Sequence, residues 1–141
     1  MAGYSGTPLV KKLGIKPGFN VSLVNAPENF TNELALPSEV SINSRTRKPL
    51  DLVLLFVKSE KELQTSFSRY STRLTPSGML WVAWPKKSSG VATDLTFTNV
   101  QAIGLAAGLV DTKICAVDDI WSGLKFVFRL KDRDKLTSRT K

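Results

Sequence analysis

The chain has 141 residues, a net charge of +8, 42% hydrophobic and 23% charged side chains, a profile that fits one folded domain with a real core. It contains no histidine and one cysteine, Cys115. That composition excludes an internal disulfide, a structural zinc site and any Ser/His or Cys/His nucleophile pair.

Taken in chain order, Thr7-Pro8 reads as a helix start, with Thr7 as cap and Pro8 at the first helical position. Leu9, Val10 and Leu13 follow, and Gly14 closes the short helix in a left-handed conformation. Lys16-Pro17-Gly18 is a turn. Phe19 to Val24 alternates as a first strand, ended by Asn25-Ala26-Pro27. Glu28 to Leu36 is expected to be a short helix, with Phe30 and Leu34 at i,i+4 spacing. Val40 to Asn43 is a short strand, and Arg45, Arg47, Lys48 and Pro49 form a basic loop.

Asp51 to Val57 is a continuous apolar run of the kind covered on both faces in a parallel sheet. Ser59 and Glu62 have capping-box spacing ahead of a helix striped with Leu63, Phe67, Tyr70 and Leu74. Thr75-Pro76-Ser77-Gly78 breaks that helix, and Met79 to Trp84 is a second doubly covered strand. Trp81 and Trp84 fall on its opposite faces, in the core. Pro85 to Gly90 is a loop. Thr93 or Asp94 is expected to cap a helix bearing Phe97, Val100, Ile103 and Ala107, closed by Gly108. Val110 to Val117 is a strand that takes Cys115 into the core as a small apolar residue. Asp118 and Asp119 belong to a turn rather than to a carboxylate pair, because neighbours on a strand face opposite ways. Leu124 to Leu130 alternates strictly as an antiparallel strand.

Strand–helix–strand alternation predicts a Rossmann-like three-layer α/β sandwich: a mostly parallel sheet of about six strands with a C-terminal antiparallel hairpin. Residues 1–130 read as one domain. Residues 131–141 read as a charged, frayed tail, with Lys131, Arg133, Lys135, Arg139 and Lys141 against Asp132 and Asp134. The longest apolar run is too short for a bilayer, and Met1-Ala-Gly-Tyr-Ser-Gly6 carries no secretory pattern. The expected location is therefore the cytoplasm, with no membrane partner.

The second half resembles class I S-adenosylmethionine-dependent methyltransferases. Asp51–Val57, the following helix and Leu74-Thr-Pro-Ser-Gly-Met-Leu-Trp-Val82 look like the fold's fourth strand, helix and fifth strand, where "L-x-P-G-G-x-L" is usual. Ala107-Gly-Leu-Val-Asp-Thr-Lys113 resembles the entry to its last hairpin. A closer match is the bacterial domain of unknown function 3052 family. Its signatures resemble Tyr4-Ser-Gly-Thr-Pro-Leu9, Lys12-Leu-Gly-Ile-Lys-Pro-Gly18, Asn25-Ala-Pro27, Leu80-Trp-Val-Ala-Trp-Pro-Lys-Lys87 and Trp121-Ser-Gly-Leu-Lys-Phe-Val127. The methyltransferase resemblance implies a glycine-rich turn after the first strand and a ribose-binding acid after the second. Here Asn25-Ala-Pro-Glu-Asn-Phe30 has no glycine, and Asn43 and Ser44 stand where the acid would be. The usual cofactor is therefore not expected, and no catalytic residue is assigned.

The best candidate site is Pro85-Lys86-Lys87-Ser88-Ser89-Gly90, at the carboxyl end of a central strand and leading toward a helix at Asp94. Lysines, hydroxyls, a glycine and a helix N-terminus suit an anion such as a phosphate-bearing small molecule. The plain alternative is a solvated turn. Tyr4, Ser5 and Thr7, between Gly3 and Gly6, could add a second phosphate cradle. Trp121, in a turn beside Ser122-Gly123, is a candidate surface contact, with a folded-back lid on the core as the alternative. The expected function is a non-catalytic binding or regulatory module for an anionic ligand or partner. The alternatives are an atypical methyltransferase-like enzyme with a rebuilt cofactor pocket, and a basic protein binding nucleic acid weakly and without sequence preference.

Overall fold

The computed structural model describes residues 8–28, 30–31, 34–43 and 48–133. Its strands are β1 (Asn20–Val24), β2 (Ser41–Ile42), β3 (Leu50–Phe56), β4 (Leu74–Pro85), β5 (Leu109–Ala116) and β6 (Trp121–Phe128). Its helices are α1 (Leu9–Leu13), α2 (Glu60–Ser71) and α3 (Phe97–Ala106). Together the strands form one sheet in the order β2-β1-β3-β4-β6-β5. The β2–β1, β1–β3 and β3–β4 pairings are parallel, and β6 runs antiparallel between β4 and β5. This is the expected α/β architecture, with the antiparallel hairpin at one edge.

β3 and β4 are central because their residues are apolar on both sides. Leu52, Leu54, Phe56, Trp81 and Ala83 face α1, whereas Val53, Leu55, Leu80, Val82 and Trp84 face α2 and α3. On the α2 side, Phe67 meets Phe126 edge to face, with centroids 5.2 Å apart. On the α1 side, the indole N–H of Trp81 donates to the Leu13 carbonyl at 2.9 Å. That bond uses one of the carbonyls a helix leaves open at its C-terminus, and it fastens a helix too short to be stable alone.

Several local expectations are corrected. Pro8 is the N-cap of α1 rather than its first residue, and Thr7 lies outside the described residues. Glu28–Leu36 does not form the expected α-helix among its described residues. Phe30 N–H bonds to the Pro27 carbonyl and Leu34 N–H to the Thr31 carbonyl, a pair of tight turns that still bury both side chains. Leu74 begins β4 instead of ending the helical stripe, and β4 absorbs Thr75–Gly78 through a register shift against β3. At α2, Ser59 accepts from Glu62 N–H, but the Glu62 carboxylate reaches back to Lys58 N–H, one residue before the cap. The cap of α3 is neither Thr93 nor Asp94. It is Thr96, in a reciprocal box with Asn99. Cys115 is half-buried on the edge strand rather than in the core. Arg45, Arg47 and residues 134–141 lie outside the described set.

Candidate functional site

In an open α/β sheet a ligand binds outside the carboxyl ends of the strands, where the strand order reverses. Here the reversal lies between β1, which leads outward to β2, and β3, which leads the other way to β4. The site is therefore framed by Asn25–Glu28 after β1, Asn43 after β2, Lys58–Ser59 after β3 and Lys86 after β4.

The two strand ends at the reversal are tied together. Asn25, held at a left-handed φ of 58°, donates from its amide to the Phe56 carbonyl at 3.4 Å. Phe30, in the segment leaving β1, packs edge to face on Phe56 with centroids 5.1 Å apart. Phe56 in turn meets Trp121 at 5.0 Å and 89°. All three rings are buried, Trp121 at 7% exposure. Trp121 is thus not a surface contact. It starts β6 opposite Pro85, and Asp118 holds the preceding turn by accepting from the N–H groups of Ile120 and Trp121. The ring sits over the core because edge-to-face contact and burial outweigh leaving an indole in water.

Other polar groups around the crevice are engaged as well. The Asn43 side chain accepts from Leu23 N–H at 2.7 Å, so it turns back onto β1. Asp94 crosses from the β4–α3 connection to accept from Glu60 N–H at 2.8 Å, placing a carboxylate of the chain itself at the N-terminus of α2. Thr93 fastens the same crossing by donating to the Lys58 carbonyl at 2.6 Å. Two of the open donors of α2, Glu60 N–H and Glu62 N–H, and part of its dipole are thereby satisfied internally.

The predicted anion loop is a 3-10 turn over Lys87–Ser89, closed by left-handed Gly90. Ser89 donates to the Lys86 carbonyl at 2.6 Å and accepts from Val91 N–H, so its hydroxyl is spent. Lys86 N–H is bonded to the Ile120 carbonyl. Lys87 and Ser88 are exposed, and six residues separate Gly90 from α3. The N-terminus of α3 is capped by Thr96 rather than by this loop. Tyr4, Ser5 and Thr7 lie outside the described residues. Among the described residues no cluster of His, Cys, Asp and Glu could hold a metal, and no helix is long and apolar enough to cross a membrane.

No protein-family model and no curated protein matches the chain. Its fold is that of S-adenosylmethionine-dependent methyltransferases. It is similar to a SAM-dependent methyltransferase from Aquifex aeolicus at a TM-score of 0.60 and 13% identity, over 84% of this chain and 86% of that one. Magnesium protoporphyrin IX methyltransferase from Synechocystis, with bound SAH, matches at 0.57 and 9%, over 86% and 78%. Aeropyrum pernix fibrillarin, with natively bound S-adenosyl-L-methionine, matches at 0.55 and 11%, over 89% and 70%. At these identities the likeness is one of fold. The crevice of this chain does not fit that cofactor in the usual way. The turn after β1 has no glycine to let the backbone approach a ligand, the position after β2 carries an amide already bonded to β1, and the Phe30–Phe56 contact lies between the strand ends.

Proposed function

We propose that this chain is a methyltransferase-fold protein without the usual cofactor site, working as a non-catalytic binding or regulatory module for an anionic partner. The bond from Asn25 to Phe56, together with the Phe30–Phe56–Trp121 contacts, carries the reading. A cofactor entering between β1 and β3 would have to break that bond and expose buried rings. The signature motifs quoted above support membership of the domain of unknown function 3052 family. Calorimetric titration with S-adenosylmethionine and with its demethylated product is expected to give no binding heat. Micromolar affinity for either would establish the second reading, an enzyme with a rebuilt pocket, which the fold likeness to cofactor-holding methyltransferases favours.

The anionic character of the partner rests on lysines with no carboxylate partner among the described residues. Lys86 and Lys87 form one such pair at the open end of the sheet. Lys86→Ala/Lys87→Ala is expected to shift stability by less than ~0.5 kcal/mol, as for solvated side chains. If the pair holds the partner, the double variant also loses any rise in melting temperature that sulfate or nucleotides produce in the parent. Equal responses from both proteins would reduce this loop to a solvated turn.

A further inference from the structure

On the α1 face, away from the crevice, β5 and β6 place Lys113 directly opposite Lys125. Lys125 points to that face, since its ammonium lies 6.0 Å from the centroid of the Trp81 ring, which packs against α1. Lys113 points the same way, donating to the Lys12 carbonyl of α1 at 3.4 Å. Lys12 is the third cation: it and Lys113 both lie close enough to Cys115 to act on its thiol. Like charges directly opposite across an antiparallel pair are destabilising. Nothing among the described residues offsets them, because no carboxylate is paired with any of the three.

Lys125 is the costly member. Burial pushes its ammonium below the usual lysine range, and the facing Lys113 pushes it further. Its stem is carried by an interior strand and lies over a buried indole. The Cys115 thiol, two residues along β5 from Lys113, is held up by burial against the pull of Lys12 and Lys113, so it stays protonated and supplies no counter-charge. Two lysines facing across β5 and β6, and a third on the helix end whose carbonyl Lys113 reaches, thus share one half-covered surface. A single phosphate could bridge the facing pair, and two linked phosphates could bridge the pair and Lys12.

We propose that Lys12, Lys113 and Lys125 form a binding site for a ligand with two adjacent phosphates, such as the diphosphate end of a nucleotide. The site gives the anionic-partner reading a second location, and it stands whether or not the crevice takes a cofactor. Cofactor titration decides the crevice, and phosphate titration decides this site.

The test is calorimetry of the full chain with inorganic pyrophosphate and with a short single-stranded oligonucleotide, at constant ionic strength. The variants are Lys113→Met and Lys125→Met, which keep an apolar stem and remove the charge, with Lys61→Met on α2 as control. Pyrophosphate is expected to bind the parent and Lys61→Met saturably and alike. Affinity should fall roughly tenfold or more in each site variant, as for loss of a charged hydrogen bond. Without pyrophosphate, both site variants should melt at or above the parent temperature, because a like-charge pair is gone. If Lys125→Met does not fold, the exposed Lys113→Met alone carries the comparison. The proposal falls if pyrophosphate gives no saturable heat, or if the site variants bind it as the parent does. It also falls if the oligonucleotide binds with steep salt dependence while pyrophosphate does not.

Discussion

Trp81→Ala is expected to lower the unfolding free energy by about 3–5 kcal/mol, the cost of deleting a large buried aromatic side chain. Trp81 is 0% exposed in the middle of β4, paired with Leu54 of β3 and Lys125 of β6. Its loss removes packing on the α1 face and leaves the Leu13 carbonyl without its indole donor. It also removes the surface against which Val10 and Leu13 bury, so α1 should detach along with the loss of sheet stability. For a domain of ordinary marginal stability this is a large share of the total. Trp81→Phe separates the two effects. It restores most of the apolar volume but not the N–H, and should cost about 1–3 kcal/mol. Urea titration followed by far-ultraviolet circular dichroism measures both. Near-equal midpoints for the Ala and Phe variants would mean that the bond to Leu13, rather than the volume, fastens α1.

The second large effect is at Gly104, inside α3. Its missing side chain lets the helix sit directly on Phe126, and a Cβ built there would overlap the Phe126 ring. The ring cannot swing away, because it is fully buried and wedged edge to face against Phe67. Replacing a helix-interior glycine by alanine ordinarily gains about 1 kcal/mol of helix propensity. Here the overlap forces a backbone or ring shift costing on the order of 1–3 kcal/mol, so the net change should be destabilising. Gly104→Val adds two methyl groups to the same overlap and should approach the loss expected for Trp81→Ala. Thermal melts of the two variants check this. An alanine variant that melts above the parent would show that α3 can lift off β6 at little cost.

Much of the fold was legible because its information is local. Leu52–Val57 and Met79–Trp84 are apolar without a break, and an unbroken apolar strand can be satisfied only between two covering layers, so their central positions follow from composition. The turn at Lys16-Pro17-Gly18 and the close of α1 at Gly14 follow from glycines that accept a left-handed φ. The parallel sheet follows from the alternation of elements. The missing glycine after β1 and the amide after β2 are likewise visible in the chain.

What the tertiary structure alone decided is where side chains separated in sequence meet. Phe30 and Leu34 have helical spacing, yet they are buried from tight turns, since burial requires apolar residues whatever backbone carries them. Thr93, Asp94 and Thr96 are all competent helix caps. Only the path of the loop to α2, 34 residues back from Asp94, assigns Asp94 to Glu60 and leaves α3 to Thr96. Trp121 sits in a sequence that reads as an exposed turn, and its place over Phe56 depends on β6 entering the sheet beside β4. The lysine group depends on register in the same way. A shift between Asp111 and Lys113 sets Lys113 opposite Lys125, and a register one residue different would send one of the two to the other face. Local pattern determined which segments are strands and helices; long-range pairing determined which side chains share a surface, because that depends on the path of the whole chain.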